Sequence, residues 1–195
     1  MYERSIVWIE QNKLDKAVSS LHQIVEQART IANRELELDA LLELGLIYSR
    51  YLRDFDRAEA CYEEGRVVAH QTGHREFEMT CLFGLANSDF ERGISAGSRR
   101  LLGLASDLFL QCITGLEDSE AVELLAQSYL RYARCRLMLG DRYTAKEAKR
   151  KVHQLLRRRE LPQIRPELRG LRKLLGIATL LGPVLRQNLI RLQFQ

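Results

Sequence analysis

The amino-acid sequence predicts an all-α solenoid of antiparallel helix pairs with C-terminal capping helices, and three observations predict it. The first is composition. With 34 Leu against 18 Val plus Ile, and only 12 Gly and 3 Pro in 195 residues, the chain favours helix over the β-branched, turn-rich makeup of a sandwich or barrel. The second is a constant offset between small residues. Ala17 precedes Gly45, Ala58 precedes Ala86 and Ala105 precedes Ala133, each by 28 residues, with Ala145 as a fourth member. The third is a bulky residue four positions after the first small residue of each pair: Leu21, Tyr62 and Phe109. Those positions share a helical face, so a tiny side chain lets a partner helix approach and a bulky one fills the adjoining space.

The helices pair in chain order. A stub at 2–11 pairs with a helix at 13–32; then come 36–51 with 55–71, 75–91 with 99–115, and 119–139 with 142–159. That is about three and a half to four pairs over residues 1–160, with 161–195 as a separate basic, amphipathic capping segment. Asn12, Asp54 and Asp141 read as N-caps, and Gly140 ends the helix before Asp141. Pro162 and Pro166 break the chain. Short helices at 166–175 and 183–193 come next, with Pro183 at a first helical position. Successive units are 41, 47 and 40 residues apart. The 47-residue interval predicts a flexible basic loop at Gly93-Ile-Ser-Ala-Gly97-Ser-Arg-Arg100. Under the 41-residue shift, Glu37-Leu-Asp-Ala40 maps onto Glu78-Met-Thr-Cys81, and Ala28-Arg maps onto Ala69-His.

These features resemble the tetratricopeptide-repeat superfamily in its longer variety, with units of about 40 residues. The matching residues are Leu44-Gly45-x-x-Tyr48, then Phe55-x-x-Ala58-x-x-x-Tyr62, and later Leu139-Gly140-Asp141 leading to Ala145. Asp89, Arg136 and Lys149 depart from the pattern, as does the missing terminal Pro of each unit. The resemblance implies a right-handed superhelix whose concave wall comes from the first helix of each pair. It places Leu42, Leu46, Arg50, Phe83, Asn87, Phe90, Leu130, Arg134 and Leu137 on that wall, with Asp39, Ser49, Thr80, Gln127 and Met138 beside them. Apolar residues with a few donors suit an extended or helical peptide carrying bulky side chains and one carboxylate. The other reading is that the chain's own C-terminal helix covers these residues, or that they simply pack between the pairs. Apart from Asn87, the carboxylate clamp of chaperone-binding relatives is absent.

Charge divides the chain. Residues 1–141 hold 16 Lys/Arg and 23 Asp/Glu, whereas 142–195 hold 14 and 3. The second stretch predicts a basic patch of Lys149, Arg150, Lys151, Arg157, Arg158, Arg159, Arg165, Arg169, Arg172 and Lys173. It is either a solvated face or a surface for nucleic acid. The expected function is therefore a non-enzymatic scaffold that binds a partner protein or peptide on the concave face. Nucleic-acid binding, or a regulatory role within a larger multidomain protein, stands as the alternative; the abbreviated first pair motivates the latter.

Other chemistries find little support. Gly93-Ile-Ser95-Ala-Gly97 fits the nucleophile-elbow pattern but has no strand before it. His70 and His74 have helical ligand spacing, yet Gly73 puts a turn between them. No metal or cofactor is expected. Cys61, Cys81, Cys112 and Cys135 form no CxxC pair and suit a reducing, cytoplasmic setting. Met1-Tyr-Glu-Arg shows no leader pattern, and the longest uncharged run, Leu174 to Leu185, is too short to span a bilayer.

Overall fold

Sequence signals for helix are realised almost throughout the computed structural model, which describes residues 13–180. Eight α-helices and no strand occur among the described residues: α1 (Leu14–Thr30), α2 (Arg34–Leu46), α3 (Phe55–Thr72), α4 (Arg75–Ala96), α5 (Arg99–Leu116), α6 (Val122–Met138), α7 (Arg142–Arg158) and α8 (Ile164–Leu180). The chain divides into two units, Met1–Ser88 and Asp89–Gln195, with the division inside α4. The expected helices at 2–11 and 183–193, and the cap at Asn12, lie outside the described residues.

In the first unit, α2 packs against both α1 and α3. Ala17, Leu21, Ala58 and Ala86 are wholly buried, Gly45 is buried, and Tyr62 is nearly so. Tyr62 shows why small residues recur. A Cβ on Gly45 or on Gly84 would lie 2.5 Å from its Cε1, so the ring fills a gap that only two bare backbones leave open. The 41-residue shift reappears as a contact. Arg29 Nε donates to Glu37 at 2.9 Å, and 41 residues on, His70 Nδ1 sits 3.3 Å from Glu78. In both cases the last turn of one helix is tied to the first turn of the next.

Glu37 is only 2% exposed. Burial raises its carboxyl pKa, but the guanidiniums of Arg34 (2.6 Å) and Arg29 outweigh that and hold it below the ordinary value. Arg29 also pairs with Glu26 and Glu64, so the buried carboxylate is satisfied by a shared cation. Composition carries no sign of this network. The only hint is that Glu37 maps onto a second acidic residue.

Caps obey the turn chemistry. Asn33, Asp54, Ser98 and Asp141 each accept a backbone N–H three residues on. Ala32, Gly73, Gly97 and Gly140 take positive φ at helix ends. Each closes a 6→1 bond such as Asp141 N–H to Arg136 O at 2.8 Å. Between α2 and α3, residues Ile47–Tyr51 form a π-helical turn, closed by Leu52 N–H to Ile47 O. That widened turn replaces the last turn of the single helix expected at 36–51.

In the second unit, α6 packs against α5, α7 and α8, and α8 also touches α7. Ala105, Phe109, Ala133 and Ala145 are wholly buried. The expected flexible loop at 93–100 is instead ordered helix through Ala96, with Gly97 and Ser98 as the whole connection. Ile94 is buried, and a Cβ on Gly93 would meet Leu102 at 3.0 Å. The inserted residues thus lengthen α4 and bury its end against α5. Pro166 does not begin a shorter helix either. It sits in the first turn of α8, where a missing N–H costs little.

Asp141 ties the fourth predicted unit together. Arg136 donates to Oδ2 at 2.5 Å, and Thr144 donates both its backbone N–H and its hydroxyl. The Arg136 bond, then those from Thr144, pull its carboxyl down to about 2 from the usual 3.8. A depressed carboxylate contributes stability that is present above its unfolded value and is lost as pH falls toward the folded one. Asp141→Ala should therefore cost about 1–2 kcal/mol at pH 7. In urea titrations, the difference from the parent protein should close between about pH 5 and pH 2.

Candidate interaction surfaces

The residues expected on one wall have separate fates in the two units. In the first unit, Leu42 and Leu46 project from α2 with Asp39, and the π-helical turn carries Ser49 and Arg50. Leu46 is 37% exposed, Arg50 is exposed, and Leu42 is half-buried. Tyr51 and Leu52 continue the exposed apolar surface at 44% and 40%. On α4, Thr80, Phe83 and Asn87 are half-buried. Asn87 donates Nδ2–H to Phe83 O at 3.0 Å, while its buried Oδ1 accepts nothing among the described residues. Burial, then Glu35, raises the Asp39 carboxyl above its ordinary value.

The second unit corrects the expectation. Phe90, Leu130 and Leu137 are core residues, buried with Met138, and are not open to a partner in this conformation. Leu130 precedes Ala133 by three residues as Leu42 precedes Gly45, and Phe90 and Leu137 follow their small residues by four as Ser49 does, but here the side chains are buried within the unit. Along α6 runs α8, and Glu167 reaches to 3.9 Å from Arg134, whose side chain is only 14% exposed. A Cβ on Gly170 would lie 3.9 Å from the Arg134 guanidinium, an ordinary van der Waals contact. Burial, then Arg131, lowers the Arg134 pKa, with Glu167 and Glu91 opposing. Arg131 stacks over the Phe90 ring at 5.7 Å and meets Glu91 at 4.0 Å. The donor expected for a partner's carboxylate is thus turned toward the chain's own acid.

Of the basic patch, Arg150, Lys151, Arg157, Arg159, Arg165, Arg169, Arg172 and Lys173 are exposed, and Lys149 is half-buried. The side chain of Arg158 lies outside the described residues. Arg150 pairs with Glu147, Arg165 with Glu160 at 4.0 Å, and Arg159 donates to Glu120 O. Helical periodicity sets Lys151 on the opposite flank of α7 from Lys149. The remainder spans two helices in contact, and burial, then the charges of Lys149, Arg157 and Arg172, lowers the His153 pKa.

Chemical groups are few. No cluster that could hold a metal ion occurs among the described residues. The four cysteines are buried and free, and burial pushes Cys61 up to about 11 and Cys81 and Cys112 up to about 12, with Cys135 higher still. They are small apolar fillers rather than nucleophiles. Ser95 lies on α4 rather than on a strand-to-helix elbow. No described helix is long and apolar enough to cross a membrane. Compared with family models and with curated proteins, the chain matches none.

Proposed function

We propose that this chain is a non-enzymatic protein-interaction module of the tetratricopeptide type, a right-handed superhelix that holds a partner segment on the α2–α4 face of its first unit. The carrying observation is the exposure of Leu46 and Arg50 on consecutive turns, where the equivalent stretch of α6 is covered. Support for the repeat type comes from the Arg29–Glu37 and His70–Glu78 contacts at a 41-residue interval, and from the buried small positions. The π-helical turn belongs to the same reading, since such turns recur at functional sites. Leu42, Leu46 and Phe83 offer apolar contact to a partner with bulky side chains; Arg50 offers a bidentate donor for one carboxylate.

A photo-crosslinking residue at Leu46, in the full chain expressed in its native cell, should capture a discrete partner. The double variant Leu42→Asp/Arg50→Glu should reduce partner recovery at least tenfold while helicity by circular dichroism stays unchanged. Equal recovery by the folded variant removes this face from the function.

A further inference from the structure

The geometry points to a second binding surface, a cationic groove between α7 and α8 that takes the phosphate backbone of a nucleic acid. The α7 core stripe is Ala145, Ala148 and Val152, all buried. Beside it Lys146, Lys149, His153 and Arg157 recur at helical spacing along one flank. On α8 the buried stripe is Ile164, Leu168, Leu171 and Leu175, and Arg165, Arg169 and Arg172 recur beside that. The two helices touch, and the charge of Arg172 reaches His153 together with those of Lys149 and Arg157. The two basic flanks therefore face one groove. From residue 146 to residue 157 a helix rises about 16 Å, so each row presents a cation roughly every turn.

Among the described residues one acid meets this groove, Glu160 at 4.0 Å from Arg165. Between residues 142 and 180 the acidic side chains are Glu147, Glu160 and Glu167. They lie near Arg150, Arg165 and Arg134 respectively. Lys146, Lys149, Arg157, Arg169 and Arg172 have no acidic partner among the described residues. Rows of like charge held this close repel one another and gain most from a partner with regularly repeated anions. An acidic protein segment would also want an apolar anchor, since protein interfaces draw most of their energy from buried apolar or aromatic contacts. The exposed large apolar residues described in this unit are Leu104, Leu110 and Tyr143, none of them on α8. Tyr143, 77% exposed in the first turn of α7, lies one turn before Lys146 and offers a face for base stacking. Chemistry of this kind reads backbone, not sequence.

The test is fluorescence anisotropy of the full chain with a labelled 20-nucleotide RNA, the matching single-stranded DNA and a DNA duplex, from 50 to 200 mM salt. Neutralising about four to six phosphates predicts a log–log salt slope of about −3 to −5, a loss of roughly 60- to 1,000-fold over that range. The variant Arg157→Gln/Arg169→Gln/Arg172→Gln should flatten the slope by about two to three and weaken binding at least tenfold. Arg172→Gln alone should flatten it by about one, which keeps the test open should the triple variant fold poorly. Arg100→Gln, on α5 of the same unit, should change little. On binding, the His153 ring should titrate at higher pH by NMR, because phosphate offsets the cations beside it. No binding at 50 mM salt, an unmoved His153, or unchanged binding by the folded triple variant overturns the proposal. Polyglutamate binding as tightly as RNA and DNA also overturns it, in favour of an acidic protein.

Discussion

Alanine at Gly84 is expected to destabilise the first unit by about 1–3 kcal/mol, against the usual direction for a glycine inside a helix. In an open helical position the same change gains about 1 kcal/mol from propensity. Here the new Cβ would lie 2.5 Å from Tyr62 Cε1 and 2.6 Å from Cζ. The ring cannot retreat, because Gly45 presses the same three ring atoms from α2, and a Cβ there would also lie 2.5 Å away. Ser49 Oγ, 3.4 Å from the hydroxyl, holds the far end. Either α4 or the ring must move, and both are packed. Urea denaturation of Gly84→Ala and Gly45→Ala, each also in a Tyr62→Leu background, separates the effects. The cost of each alanine should shrink when the aromatic ring is gone, giving a coupling of about 1 kcal/mol or more. A Gly84→Ala protein more stable than its parent would show that the ring does not fill that gap.

That triad also marks how far the sequence speaks. Gly45 and Tyr62 are legible in the sequence because close helix approach demands a small residue beside a bulky one, and that pairing shows in residue type alone. The caps at Asp54 and Asp141 are legible for a similar reason: a single side chain satisfies a local backbone donor. The features that escape depend on neighbours distant in the chain. Gly93 to Arg100 looks like a loop by composition, yet tertiary burial of Ile94 and the close approach to Leu102 carry the helix on to Ala96. The π-helical turn at Ile47–Tyr51 has no marker in its residues. It is accompanied by a bond from Asp54 N–H back to Tyr48 O at 2.8 Å, which joins residues six apart.

The candidate surfaces divide along the same line. Spacing from the small residues identifies which face of α2 and α6 a residue occupies, but not what lies over it. The cationic groove is half visible. The sequence shows the charges, while the pairing of one α7 flank with one α8 flank requires Arg172 to be placed near His153. Lys151, adjacent in sequence to the groove residues, falls away from them by helical geometry alone.

Leu130→Ala should therefore behave as a core truncation, costing about 2–5 kcal/mol, whereas Leu46→Ala should stay within about 0.5 kcal/mol of the parent. The sequence expectation counts both leucines as partner-facing, Leu46 one residue after the small Gly45 and Leu130 three residues before the small Ala133. Burial separates them: Leu130 is 0% exposed and Leu46 is 37% exposed. Truncating Leu130 leaves a cavity in a unit where α5, α7 and α8 all pack on α6. Truncating Leu46 removes atoms that water already reaches. Partner capture should reverse the ranking once stability is accounted for. At a temperature where both variants remain folded, Leu46→Ala weakens recovery and Leu130→Ala does not. Thermal or urea midpoints supply the first comparison and quantitative pull-down the second. If Leu130→Ala kept full stability yet lost the partner, α8 would have to lift from α6 in solution, exposing Leu130 and releasing Arg134 from Glu167.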